Sequence, residues 1–203
     1  SSTTSTAEYN LSVGVTALDA VTTGDANIAI GHDALSANTT GSGNLAIGYG
    51  AYNNADTEGN NMAIGRDALG GSINGGETNI AIGNYSLDAN TSGDLNIGLG
   101  YVSLTQNSTG SSNVGIGNSA MQLNQTGSSN TTLGNNSMKS SLSSSYNTAV
   151  GAEALFDANR TADTDGYNTA LGYNAGNTGT NDITTGNKNT LLGASTAASA
   201  AAG

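Results

Sequence analysis

The chain has 203 residues and a formal net charge of −11, with 15 Asp and Glu against four Lys and Arg, 30 Gly, and no Pro, Cys or Trp. The four cations, Arg66, Lys139, Arg160 and Lys188, are scattered, which argues against nucleic acid, whose binding needs clustered Lys and Arg to release phosphate counterions. The lack of Cys excludes disulfides and thiol chemistry, and no apolar run approaches the ~20 residues of a membrane helix. The chain also lacks a signal peptide and a starting Met, so it reads as a processed product or a fragment.

Residues 1–9 are a lead-in. From Asn10 a five-residue phrase, Asn-x-x-[Ile/Val/Leu]-Gly, occurs eleven times, closing at Gly14, Gly31, Gly48, Gly65, Gly83, Gly100, Gly117, Gly134, Gly151, Gly172 and Gly193. Most steps are 17 or 18 residues and the last two are 21. A fixed short period means one small unit stacked on copies of itself, so residues 10–193 read as a single repeat domain. Residues 194–203 are an Ala-rich tail or junction, the one stretch with any helical character.

Within each unit the first segment alternates, as a strand does. Ile30, Ile47, Ile64, Ile82, Leu99, Ile116, Leu133, Val150, Leu171 and Leu192 share one aliphatic slot and form the predicted core slot. The slot before it is small, as at Ala29, Ala46, Gly98 and Gly115. The slot two before it is Ile28, Leu45, Met62, Ile80, Ile97 and Val114, then Thr131, Thr148, Thr169 and Thr190. That change predicts a face buried in the first two-thirds of the chain and wetter afterwards. After each closing glycine comes a small residue and then Leu or Met, as in Ala34-Leu35, Ser103-Leu104 and Ala120-Met121. Polar turns follow, as in Asn38-Thr39-Thr40-Gly41. Each unit therefore reads as strand, turn, shorter strand, turn. Gly24, Gly41, Gly93, Gly110, Gly127 and Gly186 are expected at corners that require positive φ.

The repeated Asn27, Asn44, Asn61, Asn79, Asn96, Asn113, Asn130, Asn147, Asn168 and Asn189 predict a structural ladder, with side chains bonding from rung to rung and to turn backbone, rather than a row of ligand sites. His32 has neither the ligand partners of a zinc site nor a nucleophile or acid at triad spacing and reads as a surface residue. Asp163 and Asp165, in Asp-Thr-Asp-Gly, are weak candidates for a hard cation, but the rest of a calcium loop is missing and a solvated loop fits better. Tyr49, Tyr101 and Tyr173 follow repeat glycines; they suit subunit or edge packing more than sugar stacking. Sequons at Asn38, Asn107 and Asn124 are explained by turn chemistry without glycans. Catalytic, cofactor and phosphate-binding motifs are not found, so the expectation is a non-enzyme without cofactors. Ranked Thr raises an ice-binding reading, but Thr-x-Thr pairs do not recur rung after rung.

Core size constrains the assembly. About three small apolar side chains per unit, at roughly 1.5–3 kcal/mol each, stand against roughly 1–2 kcal/mol of backbone ordering per residue. A thin coil with this balance is expected to self-associate, most simply as parallel copies sharing a core.

The phrase Asn147-Thr148-Ala149-Val150-Gly151 followed by Ala154-Leu155, with matches at residues 168–172 and 189–193, resembles two related groups. One is the head repeat of trimeric autotransporter adhesins, and the other the longer repeat of phage tail-fibre and spike proteins. The resemblance spans residues 10–193. It implies an all-β, left-handed parallel β-roll or β-solenoid of about eleven coils, assembled as a homotrimer. The extra turn residues are closer to the fibre type, whose members often precede a self-trimming chaperone domain. On that reading the chain is a tail-fibre or virion-appendage shaft, with itself, other fibre proteins and a host surface glycan or protein as partners. A bacterial adhesin head and a self-assembling extracellular filament, at the cell surface or outside it, remain alternatives.

Overall fold

The computed structural model describes residues 6–71, 75–157, 166–177 and 188–196. It is all-β: one eleven-stranded parallel sheet whose strands follow in chain order, forming a β-solenoid. The strands are β1 (Leu11–Val13), β2 (Ile28–Ile30), β3 (Leu45–Ile47), β4 (Met62–Ile64), β5 (Ile80–Ile82), β6 (Ile97–Leu99), β7 (Val114–Ile116), β8 (Thr131–Leu133), β9 (Thr148–Val150), β10 (Thr169–Leu171) and β11 (Thr190–Leu192). The register repeats the sequence period, so that Ile30 pairs with Ile47 and Leu99 with Ile116. The 18-residue step and both 21-residue steps leave that register intact, with Ile64 opposite Ile82 and Val150 opposite Leu171.

Among the described residues each coil contains one three-residue strand, not two. The expected second strand is a left-handed corner instead. Leu35, Tyr52, Leu69, Leu87, Leu104, Met121, Met138 and Leu155 occupy that corner with φ between +48° and +53°, and all are fully buried. A left-handed conformation costs a non-glycine residue about 1–2 kcal/mol. Here the cost is offset by burial of a large side chain and by rung-to-rung bonds such as Leu104 N–H to Ala120 O (2.9 Å). Two residues before each of these sits another left-handed residue, such as Asp33 or Ser119, and a third precedes each ladder Asn, such as Ala26 or Ser112.

The predicted core slot is corrected by this geometry. A three-residue strand directs only its middle residue inward, and Ala29, Ala46, Ala63, Ala81, Gly98, Gly115, Thr132, Ala149 and Ala170 point into the coil. There they face the corner Leu and Met side chains, as Gly98 and Gly115 face Leu87 and Leu104, and the slot is mostly Ala or Gly, with Thr132 and the buried Leu191 as its larger members. Ile30, Ile47, Ile64, Leu99, Ile116 and Val150 are therefore only half-buried, and Ile82, Leu133, Leu171 and Leu192 are exposed, Leu192 at 71%. They face outward beside the slot that changes to Thr. In that neighbouring slot Leu45, Met62, Ile80, Ile97 and Val114 are half-buried rather than buried, whereas Ile28 and Thr131, Thr148, Thr169 and Thr190 are exposed. The interior is built instead mainly from Ala, Gly, Leu and Met, with Tyr52, Thr132, buried Ser and the ladder Asn beside them.

The corner glycines are also reassigned. Gly41, Gly93, Gly110 and Gly127 do not have positive φ. They are glycine because a methyl group would overlap a backbone carbonyl of the next rung, that of Glu58, Gly110, Gly127 and Ser144 respectively. Positive φ belongs to the closing glycines: Gly117, at φ +137°, lies in a region that side chains rarely enter and is packed against the Gly134 carbonyl.

Candidate functional site: buried ladders and outer faces

The Asn ladder is laid down as a continuous column. The backbone N–H of each ladder Asn donates to the Oδ1 of the Asn one rung earlier, from Asn27 onto Asn10 (2.8 Å) to Asn189 onto Asn168 (3.1 Å). Each Nδ2 then satisfies a turn or ladder acceptor: Asn27 donates to Gly41 O (2.8 Å), Asn44 to Glu58 O (2.9 Å), Asn79 to Gly93 O (2.9 Å) and Asn113 to Gly127 O (2.8 Å). From Asn96 to Asn189 the Nδ2 also donates to the preceding Oδ1, as in Asn130 to Asn113 and Asn168 to Asn147 (both 3.1 Å). Asn61 donates to Gly76 O and to Tyr52 Oη, and Asn147 to Ser144 Oγ and Ser145 O. These residues are buried from Asn27 to Asn168. A carboxamide supplies both a donor and an acceptor in one plane, which is what a repeated corner with one free N–H and one free C=O needs.

Sequence reasoning missed two further ladders. Asn90, Asn107 and Asn124 form the first, and Asn38 takes the same place alone in an earlier coil; all four are fully buried. Asn107 Nδ2 donates to Asn90 Oδ1 (3.0 Å) and Asn124 Nδ2 to Asn107 Oδ1 (2.7 Å), and each Asn also bonds the glycine carbonyl three residues on. The signal was the short phrase Asn-x-x-Gly: the glycine is required because a methyl there would overlap the Asn Oδ1. Where the phrase breaks, at Ala55 and Ser141, the ladder stops and leaves Asn38 Oδ1 and Asn124 Oδ1 without a hydrogen-bond partner. Burial of Asn38, Asn107 and Asn124 also means that their sequons are closed to glycan attachment in the folded chain. The second missed ladder lies near the surface, where the backbone N–H of Asp94, Ser111 and Ser128 donates to the Oγ of Ser111, Ser128 and Ser145.

One coil departs from the rest. Tyr52 takes the corner place of Leu, Ala55 that of the second-ladder Asn, and Glu58 that of the glycine. The larger ring fills what the missing Asn vacates, and its hydroxyl accepts from Asn61 Nδ2. Burial above all, with the nearby Glu58 and Glu77 charges, raises the Tyr52 pKa well above the ordinary tyrosine value, against a smaller lowering by the Asn61 bond. The Glu58 carboxylate is buried and accepts the N–H groups of Asp56 and Thr57 (3.1 Å each) and of Gly75 (2.9 Å), pinning the 18-residue step. Asp88 is raised too, by burial and then by Asp67.

Outside, His32, Tyr49 and Arg66 stack in successive rungs. The imidazole lies 5.2 Å from the Tyr49 ring at 12°, and Arg66 covers that ring at 5.3 Å. Tyr49 therefore has neighbours on both ring faces, and Tyr49, Tyr101 and Tyr173 are all more than half exposed. His32 is exposed beside Asp33 (2.7 Å). Asp163 and Asp165 lie outside the described residues, as does most of the Ala-rich tail. Among the described residues no three His, Cys, Asp or Glu side chains converge, and no helix is long and apolar enough to cross a membrane.

The outer face of the strand ladder is a repeating surface of small and apolar side chains, one pair per rung. Its two outward slots carry no charge on any rung, although the chain as a whole bears −11. Comparison with family models, with curated proteins and with solved structures returned no match.

Proposed function

We propose that the chain is a structural segment of a fibre that self-associates through the outer face of its strand ladder, as a parallel homotrimer. The carrying observation is that face: aliphatic side chains stand outward at Val13, Ile30, Ile47, Ile64, Ile82, Leu99, Ile116, Leu133, Val150, Leu171 and Leu192, one per rung, with no charge among them. A contiguous apolar surface on a charged molecule marks an interaction site. Identical copies aligned in parallel bring like slots together at every rung and complete the core that a thin coil lacks.

With rungs 4.7–4.9 Å apart, eleven rungs make a rod roughly 50 Å long. Its role is mechanical and not catalytic: a stiff trimer carries a tip or a neighbouring fibre protein, and weak contacts to a host surface glycan or protein add through effective concentration. The sequence resemblance favours a phage tail-fibre or virion-appendage shaft among such fibres. Gold-labelled antibody to the chain, applied to material from its source, tests this. Label on virion tails or fibres supports the reading. Label on cell envelopes or on free filaments refutes it in favour of an adhesin or a filament subunit.

A further inference from the structure

In a chain without cysteine, the structure points to a different site for a covalent staple. Tyr146 and Tyr167 occupy the same left-handed corner, φ +60° and +46°, in the coils leading into β9 and β10. Their rings are stacked at 4.9 Å between centroids and 4° between planes, and each is about half exposed. The centroid distance equals the rung spacing, so the rings are held by the fold. Tyr146 N–H donates to Ser128 O (3.0 Å), and the residues that follow the two tyrosines, Asn147 and Asn168, are fixed in the buried ladder. This pair bridges the first of the two 21-residue steps, the longest in the chain.

We propose that Tyr146 and Tyr167 are a site of oxidative coupling to dityrosine by a peroxidase-class one-electron oxidant with hydrogen peroxide. Each phenol loses one hydrogen atom to give a phenoxyl radical with spin density on the ring carbons ortho to oxygen. The exposed rings turn about their side-chain bonds, and one carbon–carbon bond forms between two ortho carbons. Both carbons then lose hydrogen as the rings regain aromaticity and their O–H groups. Overall two ring C–H bonds break, one C–C bond forms, and one hydrogen peroxide is reduced to two waters. The product closes the expanded coil as a disulfide would, by restricting the unfolded chain.

The internal control is Tyr85 with Tyr101, 6.3 Å apart and edge to face at 80°. The full chain is treated in dilute solution with a heme peroxidase and hydrogen peroxide, cut after Asp and Glu, and analysed by mass spectrometry. The expected dominant cross-link joins the peptides of Tyr146 and Tyr167 within one chain, two hydrogens lighter than their sum. Y146F and Y167F, which keep the stacked ring, each abolish it, and oxidation raises the melting temperature of the parent chain but not of either variant. A dominant Tyr85–Tyr101 product, coupling only between chains, or no Tyr146–Tyr167 product overturns the proposal.

Discussion

Between β7 and β8 the outward face of the solenoid changes while the buried corner and the first Asn ladder are kept, even though the inward slot passes from Gly115 to Thr132. From β1 to β7 the first outward slot holds Leu, Ile, Met or Val, and from β8 to β11 it holds Thr. Across the same boundary the interior passes from Met121 to Met138, both fully buried, and the Asn113–Asn130 rungs keep their paired bonds at 3.1 Å. Strand alternation makes this separation possible: the middle residue and the corners specify the coil, while the flanking residues specify only what the coil meets. The two regions therefore share one folding code and differ in surface chemistry.

The largest expected effect breaks the shared part. N113A removes the acceptor for Asn130 N–H and the donor to Gly127 O, leaving buried backbone groups unpaired at about 1–3 kcal/mol each. Thermal unfolding of N113A should show a loss in that range or above, as great as that of N147A on the Thr side of the boundary; a much smaller effect on one side would refute a common code. G98A should cost about 1–3 kcal/mol by overpacking, because the added methyl meets Ser86 Oγ. The double variant G98A/S86A should recover most of it, since Ala occupies both places at Ala46 and Ala34.

The outward face distinguishes the regions. I97T should weaken self-association, read as a shift to smaller species and a lower melting temperature at a given concentration, and T148V should strengthen it; each changes one outward side chain by roughly 1 kcal/mol. Equal behaviour of both variants would mean that the face is not an interface. A further net gain below about 1 kcal/mol is expected from S141N/S144G, which extends the second ladder to the unpaired Asn124 Oδ1 while removing the Ser144 Oγ that accepts from Asn147. S141N alone should not stabilise, because it lacks the glycine.

The smallest effect concerns pH. The folded-state pKa of Tyr52 lies above the ordinary value near 10, so the folded chain holds that proton more tightly than the unfolded one. Its contribution is fully present below pH ~10 and is lost as pH rises beyond it. Alkaline unfolding midpoints should fall less steeply for Y52F, even though Y52F forfeits the bond from Asn61.

The period, the ladder of first strands and the Asn column were legible in the sequence because each is written at fixed spacing in residues with one evident role, whereas the second strand expected in each unit was a misreading of the buried corner. The interior was not. An aliphatic slot invariant along the chain looks like a core, yet three-residue strands turn Ile30 and Ile116 outward and leave the interior to Ala29 and Gly115. The corner Leu and Met residues were visible as a second phrase, but neither alternation nor propensity predicts Leu35 or Met121 at positive φ, since tertiary burial there overrides an unfavourable backbone state. The second Asn ladder was read as turn chemistry because Asn-x-x-Gly fits a turn equally well.

Sedimentation equilibrium of the purified chain tests the central claim most directly. The account predicts a single species at three times the 19.9 kDa chain mass, shifting toward smaller species in I97T. A parent chain that stays at 19.9 kDa, folded and soluble across the same concentrations, would contradict it.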